Sequence, residues 1–146
     1  MADLLRVIRE SWGWTGLDPV EVVDENDFGN VIVRDASGSY WRIVPEDLSC
    51  EVVAENRAAL DTLSRDQVFL KDWYMESLVA DAVRVHGPLE GGRKFFLLTP
   101  GPLGGAYDSK NVRTAPVEEV LGLAGDIARQ IKDLPDGAKV EIKVVE

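Results

Sequence analysis

The stretch FGNVIVRDASGSYWRIVP, residues 28–45, constrains this chain more than any other. Phe28, Val31 and Ile32 or Val33 on one arm, and Tyr40, Trp41 and Ile43 on the other, flank the turn signal DASG. β-branched and aromatic residues on either side of a Gly/Asp/Ser cluster read as a β-hairpin. Pro45 ends the second arm. VEVV before it and CEVVAEN after it extend the pattern into a meander of strands.

Helical patterns surround the meander. Asp3 can cap a helix running to about Trp12, with Leu4, Leu5, Ile8 and Trp12 close to helical spacing. Asn56 reads as the N-cap of RAALDTL. Ser64 to His86 gives the longest helical pattern, with Ser64 and Asp66 near its start and Gly87-Pro88 stopping it. KFFLLTP and NVRT read as short strands on either side of a Gly/Pro loop. Thr114 and Pro116 open a further helix, whose apolar stripe runs from Val117 to Ile131. LPDG then turns the chain, and KVEIKVV closes it with strict alternation. The whole reads as one α+β domain over residues 1–146, with a mostly antiparallel sheet and helices packed on one side.

A chain of 146 residues that is 45% hydrophobic suits a single core. No apolar run reaches the length of a membrane span, and the N-terminus has no signal-peptide pattern. The single cysteine, Cys50, has no partner for a disulfide or a metal site. A soluble, cytoplasmic protein is expected. Its formal charge of −10 disfavours nucleic acid, whose affinity for proteins comes mostly from Lys and Arg. Residues 1–75 hold fifteen acids against seven bases and carry −8, whereas residues 76–146 carry −2. The densest part is LDPVEVVDEND, where Asp18, Glu21, Asp24, Glu25 and Asp27 stand with no base among them. Ordinary solubility explains such an excess, and so does a docking patch for a basic partner. In the second case Trp14 and Tyr40 are the candidate aromatic anchors.

No catalytic constellation emerges. His86 is the only histidine, and its place at a helix C-terminus suits the helix dipole. Neither Ser77 nor Cys50 lies in a nucleophile motif. The loop PGPLGGAYDSKN invites comparison with phosphate-binding loops, but Gly104-Gly105 is followed by Ala106, Tyr107 and Asp108 rather than by Lys and Ser/Thr. Helix signals resume only near Thr114, and the Asp108 carboxylate would repel a phosphate. The loop is expected to be structural, with Leu103 buried, Gly104 or Gly105 at positive φ, and Tyr107 beside them. No metal or cofactor is expected.

NDFGNVIVRDASGSYWRIVPEDLSCEVV, then PLGGAY followed by SKNV, then GDIARQIKDLPDGAKVEIKVV resemble the C-terminal domain family of type VI secretion DNase immunity proteins. The resemblance runs from about residue 20 to the C-terminus; in longer members this domain follows a GAD-like domain. It implies a protein that occludes a cognate toxin, encoded by an adjacent gene, with no catalytic residues of its own. A toxin that cuts nucleic acid would be basic, and an acidic inhibitor would mimic its substrate's charge. The second reading is a small-ligand protein or enzyme with a pocket near PGPLGGAY and His86. Monomer and homodimer both remain open.

Overall fold

The structure, a computed structural model, describes residues 3–134. The turn expected at LPDG and the strand expected over KVEIKVV fall at or beyond the end of the described residues.

Helix α1 (Leu4–Trp12) starts where Asp3 accepts a hydrogen bond from the Leu5 N–H at 3.1 Å. Strands β1 (Pro19–Glu25), β2 (Val31–Asp35), β3 (Tyr40–Val44) and β4 (Ser49–Ala54) follow as an antiparallel meander in sheet order β1-β2-β3-β4. The hairpin stands where the sequence puts it, with Val31 opposite Ile43 and Val33 opposite Trp41. Its turn is tied by Asp35, which accepts from the Ser37 and Ser39 N–H groups and, at 2.8 Å, from Trp41 Nε1.

Helix α2 (Arg57–Leu63) is capped by Asn56, which accepts from the Ala59 N–H at 2.8 Å. The long helix expected from Ser64 to His86 is two helices, α3 (Gln67–Tyr74) and α4 (Glu76–His86). Between them Met75 adopts a left-handed conformation at φ +46°. No Gly or Pro marks the break, because tertiary packing makes it. Trp73 of α3 packs with Ile32, Tyr40, Ala54 and Leu60, whereas Met75 and α4 pack with Phe28, Phe95, Leu97 and Val112. One straight helix cannot serve both clusters. Strands β5 (Arg93–Leu97) and β6 (Val112–Pro116) form a separate antiparallel pair, and α5 (Val117–Ile131) completes the described chain.

The class is α+β, with strictly antiparallel pairing in both sheets. The helices are not confined to one side of the four-stranded sheet. Alternation along β2 sends Val31 and Val33 toward α1 and α5, and Ile32 toward α2 and α3. Both faces of β2 are apolar, so both need a cover. Trp12 is fully buried in the first cluster, and its Nε1 donates to the Leu121 carbonyl at 3.0 Å. Here α1 and α5 approach so closely that a Cβ on Gly125 would stand 2.5 Å from the Ser11 carbonyl oxygen.

Replacing Gly125 by Ala should therefore destabilise the fold by roughly 1–3 kcal/mol in chemical denaturation, the usual cost of overpacking, despite alanine's higher helix propensity. The control Gly122→Ala meets nothing closer than 3.7 Å and should be neutral or stabilising.

Candidate functional site

Strand β1 lies at one edge of the four-stranded sheet, and among the described residues its outward groups face no neighbouring strand. Asp18, Glu21, Asp24, Glu25 and Asp27 are all exposed along it. The fold supplies bases that the local sequence lacks. Arg34 reaches Glu21 at 3.5 Å, and Lys94 of β5 reaches Glu25 at 3.0 Å. Among the described residues Asp18, Asp24 and Asp27 make no ion pair. The edge thus keeps an acidic character carried by three of the five carboxylates.

The two aromatic candidates sit elsewhere in the packing. Tyr40 is buried, at 5% exposure, beneath α2 and α3. Alternation along β3 turns its ring into the sheet's second cluster, so it offers no free anchor at the hairpin edge. Trp14 is half-buried, stacked on Trp12 with ring centroids 6.2 Å apart, and its Nε1 donates to the Ser11 carbonyl.

The Gly/Pro loop between β5 and β6 is a tied structure. Asn111 holds it at three points, accepting from the Thr99 N–H and donating to the Thr99 and Ala106 carbonyls, each at 2.9 Å. The Gly104 and Gly105 N–H groups turn back to the Gly101 and Pro100 carbonyls, which a phosphate-binding loop would leave free. Gly104 has φ +91°. Leu103 is half-buried rather than buried, because the short 3-10 turn Gly101–Leu103 lies at the surface. Gly105 is the sterically critical position, since a Cβ there would run into the Thr99 carbonyl. The narrow crevice beside this loop, lined by Glu46, Phe96, Pro100 and Ile127, measures about 30 Å³, whereas Tyr107 of the same loop borders a cleft of about 880 Å³. His86 is exposed, with Nε2 3.2 Å from the carbonyl of Ser109 at the end of the same loop.

A polar network missed by the sequence reading crosses the centre of the molecule. Asn30 is fully buried and donates through Nδ2 to both carboxylate oxygens of Glu46, at 3.0 and 2.9 Å. Its Oδ1 accepts from Arg42 Nε at 3.2 Å and Nη2 at 2.8 Å. Arg42 Nη1 then donates to Asp72 Oδ2 at 2.6 Å, while the guanidinium lies 5.6 Å from the Phe69 ring centroid and 5.2 Å from that of Trp73. Glu46 sits in the 3-10 turn Pro45–Asp47 after β3. Burial pushes its carboxyl up to about 7, against the Asn30 hydrogen bonds and the Arg42 charge that pull it down. VPED and FGNV carry these residues, but nothing in their spacing signals that Asn30, Arg42 and Glu46 meet. Among the described residues no group of three or more His, Cys, Asp or Glu is placed to hold a metal.

The network surfaces at Asp72, whose side chain is 68% exposed. Asp72 opens into the cleft of about 880 Å³ between α3, α4 and the Tyr107 loop. Such a scaffold, with apolar and acidic surface and a tied loop, has the build of a binding module. The profile described as "T6SS immunity protein Tdi1, C-terminal" matches residues 54–128, just over half the chain. The chain belongs to this family of type VI secretion immunity proteins. No curated protein matches it significantly. The matched segment runs from the end of β4 into α5, and so holds the whole cleft and the Gly/Pro loop, while β1 lies before it. No described helix is long and apolar enough to cross a membrane.

Two predictions follow from the loop and the network. Gly105→Val should destabilise by about 1–3 kcal/mol, as measured by the thermal midpoint, because the Thr99 backbone cannot yield without breaking the Asn111 clamp; an unchanged midpoint would overturn this account of the loop. The Glu46 carboxyl has an ordinary value of 4.5, so the folded chain holds this proton more tightly than the unfolded one. Its contribution to stability is complete below about pH 4.5 and is lost as pH rises through 7. Between those limits the native protein should lose roughly 2–3 kcal/mol relative to Glu46→Gln in urea titrations. Parallel pH profiles for the two proteins would refute this.

Proposed function

We propose that this immunity protein neutralises a basic, nucleic-acid-cutting toxin encoded beside it, by covering the toxin's active site with acidic surface. The observation that carries this reading is the β1 edge, where Asp18, Asp24 and Asp27 stand exposed without ion pairs among the described residues. A formal charge of −10 gives that edge a long-range field of the same sign. A toxin that cuts nucleic acid must attract phosphates, so an acidic protein competes for the same surface and is drawn to it quickly. Such a toxin acts where nucleic acid is, which makes the cytoplasm the working compartment. Trp14, half-buried and stacked on Trp12, remains the proposed aromatic contact; Tyr40 is buried and offers none.

The test is binding kinetics with the product of the adjacent gene at low and moderate salt. Reversing Asp18, Asp24 and Asp27 to Lys should slow association at least about tenfold and flatten its salt dependence, with a smaller change in dissociation. An association rate unchanged by the reversal would remove the β1 edge from the interface.

A further inference from the structure

The exposed aromatic residues give a sharper lead than the charges. Among the large apolar side chains that the described residues leave exposed, only Tyr74 at 56% and Tyr107 at 51% are aromatic. They stand 33 positions apart in the sequence and line the same cleft. Val68, at 81%, lines it too and is the most exposed large apolar residue described. Exposure of this kind has a cost in water, and the three most bulky or most exposed of these side chains share one surface.

The cleft's charges favour one kind of occupant. Asp72 and Glu76 line it against a single base, Lys71. Arg42 holds Asp72 from below through Oδ2, at 2.6 Å, and Oδ1 makes no hydrogen bond among the described residues. A carboxylate fixed in place, in a cleft that two tyrosines also line, suits a guanidinium, which can take the carboxylate oxygen and lie on an aromatic face at once. The buried arginine beside Phe69 and Trp73 already uses that chemistry within the fold. An acidic peptide would meet two carboxylates, and a purely apolar one would leave Asp72 Oδ1 desolvated and unpaired.

We infer that the α3–α4 cleft, with Tyr74, Tyr107, Val68 and Asp72, is the anchoring site for an arginine-bearing segment of the cognate toxin. The inference rests on the immunity reading and adds to it a second surface with a different task. The β1 acids govern encounter; the cleft holds the complex together, because buried aromatic and arginine contacts dominate binding energy while rim charges govern association.

The experiment uses the full chain and the product of the adjacent gene. Tyr74→Ala, Tyr107→Ala and Val68→Lys should each raise the dissociation rate about 30-fold or more, with a smaller change in association. All three residues are exposed, so thermal midpoints should stay within a few degrees of the parent and separate lost contact from lost folding. Tyr107→Phe should retain most of the affinity, since it keeps the ring. Dissociation rates unchanged in all three variants, with the unaltered protein still binding, would overturn the cleft while leaving the immunity reading in place. A homodimer that these variants disperse would overturn it as well, by giving the cleft a second copy as occupant. Failure of the unaltered protein to bind would bring down both readings.

Discussion

Arg42 holds the described fold to a single arrangement. Arg42 is 8% exposed, and a buried charge is tolerated only when partners satisfy its donors. Asn30 from the start of the hairpin takes two donors, Asp72 from α3 takes a third, and Phe69 and Trp73 flank its plane. Glu46 then satisfies the amide of Asn30. The hairpin region that holds Asn30, Arg42 and Glu46 and the helix that holds Asp72 must therefore arrive together. Removing any one of these side chains leaves a buried polar group without a partner, a penalty larger than the net gain from making the bond.

This network also links the core to the surface proposed for binding. Asp72 is mostly in water, yet its position is set from inside the protein. A contact residue held in this way loses little conformational freedom when a partner arrives, which favours tight association. The tied loop has the same effect on Tyr107. Asn111 fixes both ends of the Gly/Pro segment, and the Gly101 backbone packs directly against the Tyr107 ring. The glycines that suggested a phosphate loop serve instead to bring a tyrosine to the cleft.

Local patterns in the sequence were read correctly where local physics decides them. The caps at Asp3 and Asn56, the hairpin around Asp35, and the amphipathic stripe of α5 all depend on residues a few positions apart. What escaped depends on the rest of the fold. The break at Met75 has no local breaker and follows from two helices serving two cores. The burial of Tyr40 follows from a second layer of helices that alternation in β3 alone could not reveal. The acidic run was plain in the sequence, but Arg34 and Lys94 come from other strands, so its unpaired part was not. The cleft was invisible because Val68, Tyr74 and Tyr107 look like ordinary apolar residues until their exposure is known.

The bond from Trp12 to Leu121 spans 109 residues and joins the first helix to the last one described. On a ribosome adding about 5–20 residues per second, α1 emerges roughly 5–20 s before its partner exists. During that interval the meander can pair, but the face formed by Val31, Val33 and Ile43 has only part of its cover. A nascent or truncated chain is thus sticky and incomplete until α5 is made, which limited proteolysis of stalled chains would register as an open sheet face. For a cell exposed to its own toxin, protection would begin with the completed chain rather than with the first folded strands.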